Sequence, residues 1–302
     1  MSLNIIEVLL STLLISCPLI LLATGGILNT KVGIANFGFD GIMCVGASLY
    51  CLIISQLRAS MGSAVIVFAF FLTIIMGLLF SLLYSFATIT CKADQMLTSM
   101  AINFLGYGLA VALPITFTGS LNFSLSSISI KLYPVVAIVL TLVLLYLFAI
   151  ILFLTRFGLY VRVIGENRNF AVRNYLKIGK AQYLISCFSS SLACFGGGLL
   201  VYINPNFFIV NNNFSGLGFL VIVLWMIGRN RFVFTSIICL LFAFIFQMSI
   251  ELDAISSITE ILPNWFIGMI PYLATLVFLM VFRYDPALPP MWAQPYIKDK
   301  IK

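Results

Sequence analysis

Hydrophobic positions in this chain fall in long, nearly unbroken runs, and each run approaches the roughly 20 apolar residues a helix needs to cross a bilayer. Nine such segments are readable, at 5–24, 34–57, 64–88, 98–118, 133–155, 181–203, 216–229, 233–249 and 262–282. They predict an all-α polytopic membrane helix bundle of about 8–10 transmembrane helices, with residues 1–302 read as one transmembrane domain.

Two stretches interrupt the pattern. GGILNTKVGIANFGFDG, from Gly25 to Gly41, holds five glycines together with Asn29, Lys31, Asn36 and Asp40. GGGLLVYINPNFFIVNNNFSGLGF runs from Gly196 to Phe219. Non-helical backbone at membrane depth is tolerated only where protein buries it or where it lines a wet cavity. Broken or re-entrant segments are therefore expected at both places, with a transport path between them. The phrases NFGFDG and NFSGLGF lie about 178 residues apart and each opens a hydrophobic helix, which points to an internal duplication of inverted topology.

Charge then orients the chain. The run from Arg156 to Lys180 gathers six of the sixteen Lys and Arg, with Glu166 its only acid. Basic loops flanking membrane helices stay cytoplasmic. Counting outward from that loop places Arg229, Arg231 and the basic end (Lys298, Lys300, Lys302) inside and Glu251, Asp253 and Glu260 outside. Counting backward places Asn122 outside, Lys92 inside, Arg58 outside and Lys31 inside, on the support of single charges.

Composition narrows the function. With 62% hydrophobic and 8% charged residues and a mean hydropathy of +1.16, the chain lies far from soluble domains. The net charge of +7 reflects loop and tail residues held on one side of the membrane, so nucleic-acid binding is not expected. Seven scattered cysteines without a CxxC pair read as small packing residues and support neither zinc nor a disulfide framework. The first 26 residues carry Glu7 and no Lys or Arg, so they read as a retained helix rather than an export signal. Without histidine, neither a His-based triad nor a His metal site can be assembled, and no enzyme activity or metal is expected. There is no P-loop either: near Gly179-Lys180, Asn174 and Ala181 stand where a glycine and a hydroxyl are needed.

Asp40 inside an apolar run would cost about 2.5–3.5 kcal/mol at the centre of a spanning helix, which marks it as a pathway candidate. The alternative is local: with Asn36 as an N-cap, Asp40 falls in the first helical turn, where the helix dipole favours an anion. Asn103 is a lone polar side chain whose interhelical bonding and substrate contact are equally open. Ser186, Ser190, Cys194 and Gly198 recur every four residues as a small-residue stripe, which is expected to serve close helix packing.

Four blocks carry a family resemblance. GILNTKVGIANFGFDGIMCVGA is similar to the Gly-Val-Asn-Ile-Gly-Glu-Gly-Met pattern of permease subunits of bacterial ABC importers for nucleosides, ribose-type sugars and branched-chain amino acids. KADQMLTSMAINFLGYGL resembles that family's Ala-Asn-Gln…Ala-x-Asn helix at Gln95, Ala101 and Asn103. RFGLYVRVIGENRNFA, from Arg156 to Ala171, resembles its cytoplasmic Arg-Phe-Gly-x-x-x-Arg-Ala-x-Gly-Glu-Asn segment, and SGLGFLVIVLWMIGRNRF resembles its Gly-x-Gly-Phe…Gly-Arg stretch. The ending PYLATLVFLMVFRYDPAL, followed by QPY, is similar to the shorter of the two nucleoside-type permeases. Asp40 stands where the family usually has Glu, and RNYLKIG at 173–179 departs from its small-residue run.

The resemblance implies one of two transmembrane subunits of an ATP-driven importer in the bacterial cytoplasmic (inner) membrane, with nucleosides as the first cargo. Riboflavin, ribose-like sugars or branched-chain amino acids are the alternative cargoes, and a stand-alone secondary transporter is the alternative class. Implied partners are a cytoplasmic ATP-binding subunit that holds ATP and Mg, a paralogous second permease, an external substrate-binding lipoprotein and the lipid bilayer. No cofactor is expected on this chain. The pathway candidates are Asn29, Asn36, Phe37, Phe39, Asp40 and Asn103; the ATPase-coupling candidates, in the 156–180 loop, are Arg162, Gly165, Glu166, Asn167 and Ala171.

Overall fold

The computed structural model describes residues 5–119, 154–203, 216–253, 264–281 and 288–294, with helical positions scattered between 138 and 150. Its long helices are α1 (Ile5–Lys31), α2 (Phe39–Met61), α3 (Ala64–Ser85, continued by a π turn at Phe86–Thr90) and α4 (Gln95–Thr118). Two short helices follow, α5 (Arg156–Glu166) and α6 (Arg168–Arg173). The second half holds α7 (Ile178–Ile203), α8 (Leu217–Ile227), α9 (Phe232–Asp253) and α10 (Asn264–Val281). Among the described residues, six helices are long and apolar enough to span a membrane and α8 and α10 add shorter apolar ones. With the positions at 138–150, each of the nine predicted segments contains helix.

The glycines at the start of both expected breaks continue helices instead. Helix α1 runs through Gly25, Gly26 and Asn29 to Lys31, leaving only residues 32–38 non-helical before α2, and α7 runs through Gly196–Gly198 to Ile203. Residues 204–215, 254–263 and 295–302, and with them the second break, Glu260 and the terminal lysines, lie outside the described residues, as does Asn122.

The glycines serve helix contacts instead. A Cβ on Gly46 of α2 would lie 2.0 Å from the Cys194 carbonyl of α7, and one on Gly197 of α7 would lie 2.0 Å from the Met43 carbonyl of α2. Each helix thus presents a glycine to the other's backbone, and a longer side chain at either position would force the pair apart. Gly41 and Gly106 do the same between α2 and α4, while Gly26 accommodates the Trp225 ring. The stripe at Ser186, Ser190, Cys194 and Gly198 also packs: Ser81 donates to the Ser186 hydroxyl at 3.1 Å, and a Cβ on Gly77 would meet Ser190 and Cys194. All seven cysteines are free, and Cys44, Cys51, Cys194 and Cys239 are buried.

Burial orders the bundle. The most apolar windows of α2 and α7 are 72% buried, against 28% for α4, so the glycine-rich pair is the centre and the Leu/Phe-rich helices are the rim. Phe71, Leu79 and Leu83 of α3 and Met100 and Phe104 of α4 stay exposed, as a lipid-facing surface requires. The principal contacts are exchanged when α1–α4 are mapped onto α7–α10: α1·α8 answers α2·α7, α1·α9 answers α3·α7, and α2·α4 answers α8·α10. That exchange is what a duplicated bundle produces, and it pairs α1 with α7 and α2 with α8 at the centre.

Candidate functional site

Residues 32–38 cross the interior without helix, so every backbone group there must find a partner. The amides of residues 32–34 bond back to Leu28, Thr30 and Asn29 of α1, and residues 35–37 find partners on one face of α4, where Gln95, Ser99, Asn103 and Tyr107 recur every four residues. The Ala35 amide donates to Gln95 Oε1 at 2.8 Å and the Phe37 amide to Ser99 Oγ at 3.1 Å. Asn103 accepts from the Gly41 amide at 2.8 Å and donates to the Phe37 carbonyl at 2.8 Å. From α3, the Tyr84 hydroxyl donates to the Ala35 carbonyl at 2.9 Å. A ladder of side chains thus replaces the missing helix bonds.

Asp40 sits in the first turn of α2 and reaches two further elements. Its Oδ1 accepts the Gly218 amide of α8 at 2.7 Å, and its Oδ2 accepts the Tyr107 hydroxyl of α4. The first turns of α2 and α8 therefore converge on one buried carboxylate, where helix dipoles favour an anion. Gly218 has no alternative residue there, because its Cβ would fall 2.4 Å from the Asp40 Cα.

The other pathway candidates lie around the same turn. Asn36 is not the N-cap of α2, a position held by Gly38; its Oδ1 accepts the Gly38 amide at 2.8 Å, and its Nδ2 has no hydrogen-bond partner. Asn29 is 1% exposed and neither of its amide atoms is bonded. Phe39 is fully buried and meets Trp225 edge-on at 5.7 Å; Phe37, partly buried, meets Trp292 edge-on at 5.9 Å.

The coupling candidates form a compact unit against the C-terminal end of α1, next to the break. Asn167 ends α5 and caps α6, accepting the Phe170 amide at 3.1 Å. Ala171 is fully buried and its carbonyl accepts the Leu176 amide at 3.0 Å, closing the turn after α6. Gly165 abuts the last residue of α1: a Cβ there would stand 2.2 Å from the Lys31 carbonyl. Lys31, Arg162 and Glu166 line a cavity of about 420 Å³ with Leu288, Pro289 and Pro290. The basic 156–180 region, Lys31 and the segment 288–294 consequently share one face of the bundle.

Sequence reasoning passed over Arg168, Ser99, Tyr107 and Gly218. The four-residue spacing of Gln95, Ser99, Asn103 and Tyr107 within an otherwise apolar helix was the available signal for two of them. Arg168 looked like one more loop cation, yet it is 5% exposed and bonds the carbonyls of Met291 and Gln294. Among the described residues, no group of His, Cys, Asp and Glu could hold a metal ion.

The family described as branched-chain amino acid transport system / permease component matches residues 8–282. A guanosine ABC transporter permease protein, NupQ of Bacillus subtilis, is 27% identical over 96% of both chains. A nucleoside ABC transporter permease protein, NupC of Lactococcus lactis, is 27% identical over 98% of this chain and 99% of its own. The protein MG121 of Mycoplasma genitalium is 25% identical over 88% of this chain and 90% of its own. No solved structure matches the chain. Among the described residues, a bundle of apolar helices, a buried break stitched to its neighbours and a basic capped helix pair on one face thus accompany a family match over nearly the whole chain: the protein belongs to the branched-chain amino acid transport system permease family and is a multi-pass membrane permease of the ABC type.

Proposed function

We propose that this chain is one transmembrane subunit of an ATP-driven importer for nucleosides. The observation that carries the reading is the end-to-end similarity to two permeases named for guanosine and nucleoside transport. In this reading a cytoplasmic ATPase engages α5–α6, a paralogous permease completes the membrane unit, and an external binding lipoprotein delivers the cargo. ATP and Mg belong to the ATPase and no cofactor to this chain.

Alternating access follows from differential binding, since ATP closes the ATPase in one state and the permease must follow. Arg162, Gly165, Glu166, Asn167 and Ala171 carry the push: Gly165 touches the end of α1, whose next residues are the break. The path runs beside residues 32–38. There Asn29 and Asn36 hold buried, unbonded amide atoms that sugar hydroxyls or base edges would meet as the helices part, Phe37 gives an aromatic surface, and Phe39, Asp40 and Asn103, buried behind it, hold the segment in shape. A nucleoside, flat and apolar on one side and hydroxyl-rich on the other, suits such a lining.

Uptake of labelled guanosine by cells expressing the whole importer tests the cargo. Competition by unlabelled nucleosides, with none by riboflavin, ribose or leucine, is the expected result. Absence of guanosine uptake, with uptake of labelled riboflavin, ribose or leucine in its place, would transfer the assignment to that class.

A further inference from the structure

The segment 288–294 is more than a tail lying on the surface. Its Met291 amide donates to the Gly165 carbonyl at 3.1 Å, and the Arg168 guanidinium donates back to the carbonyls of Met291 at 3.1 Å and Gln294 at 2.8 Å. Pro289 packs against Gly165, where a glycine Cβ would lie 3.4 Å from its own. On its other side the segment meets the break. Gly33, in the left-handed region at φ 82°, comes so near the Met291 carbonyl that a Cβ would stand 3.1 Å from it, and Trp292 lies edge-on to Phe37 at 5.9 Å.

We propose that residues 288–294 act as a clamp that fastens the α5–α6 turn to the break at 32–38, with Arg168 and Trp292 as its positioning residues. The inference rests on the coupling role proposed above for α5–α6. Without the clamp, the turn meets the end of α1 where Gly165 abuts Lys31 and nears the break where the Arg168 guanidinium approaches Gly33, packing contacts that transmit compression better than pulling. The clamp supplies the pulling connection: Arg168 grips two carbonyls on one side and Trp292 grips Phe37 on the other. Its chemistry also explains which part of the indole matters. The buried Trp292 Nε1 makes no hydrogen bond, so the grip is by ring packing.

The test uses the assembled importer in proteoliposomes, with Trp292→Phe, Trp292→Ala and Arg168→Ala beside the unaltered protein. Two quantities are read: nucleoside moved per ATP hydrolysed, and deuterium uptake at 32–38 and at 163–173 before and after trapping the nucleotide-bound state. Expected is a fall in transport per ATP of at least about fivefold, the lower end of typical coupling effects, in Trp292→Ala and Arg168→Ala, and near-normal coupling in Trp292→Phe. In the unaltered protein both peptides respond to nucleotide; in the two alanine variants only 163–173 does. If Arg168→Ala does not assemble, the Trp292 pair decides alone. A break that still responds in Trp292→Ala, with normal transport per ATP, overturns the clamp. Absence of any nucleotide response at 163–173 in the unaltered protein would instead refute the coupling role on which the clamp rests.

Discussion

Asp40 and Gly218 are joined by a 2.7 Å hydrogen bond across 178 residues of chain, one residue more than the 177 that separate Asn36 and Asn213, the first residues of NFGFDG and NFSGLGF. Corresponding points of the two halves thus touch each other at the centre of the bundle. Asp40→Asn keeps an acceptor for Gly218 but turns its second oxygen into a donor, so a cost of about 1 kcal/mol with retained assembly is expected. Gly218→Ala puts a Cβ 2.4 Å from the Asp40 Cα and should cost more, about 1–3 kcal/mol. Thermal loss of the monodisperse peak in detergent ranks the two; a milder Gly218→Ala would contradict the packing.

The polar face of α4 makes a second prediction. Gln95→Ala, Ser99→Ala and Asn103→Ala each strand a buried amide of residues 35–41 and should destabilise by about 1–3 kcal/mol apiece. Because all three hold one segment, the triple variant should lose less than the sum. Full additivity in the same melting assay would mean that the three bonds act on independent pieces of backbone.

Much of this architecture was legible in the sequence, and the reason is physical. Bilayer thickness fixes helix length, so apolar run length located the spans. Glycine misled at Gly25, Gly26 and Gly196–Gly198 because one residue serves both a break and a close helix crossing, and only the partner helix tells which. Asp40 was visible as an expensive side chain, but its partners were not, since Gly218 and Tyr107 approach it only through tertiary packing. Arg168 was hidden among the loop cations because its acceptors are backbone carbonyls more than 120 residues away.

The crossing of α2 and α7 separates two roles of glycine. Gly46→Ala and Gly197→Ala drive a Cβ into facing carbonyls and should each cost about 1–3 kcal/mol. Gly108→Ala on α4, where a Cβ meets nothing within 4 Å, should be neutral or stabilising by up to about 1 kcal/mol. Equal effects at the three positions would remove the crossing as an explanation.

Sidedness is open to a chemical test. Lys177→Cys should react with an impermeant thiol reagent only after the membrane is opened, and Asp253→Cys in intact cells, both in a background whose native cysteines are replaced. Reaction in the opposite order would invert the topology and detach α5–α6 from any cytoplasmic ATPase.

The most direct measurement is nucleoside uptake into proteoliposomes holding this chain with its second permease and ATPase, supplied externally with the binding protein. Uptake that requires internal ATP and is abolished by replacing Glu166 and Asn167 together, with the complex still assembled, is the predicted result. Uptake by this chain alone, down a gradient and without ATP, would contradict it.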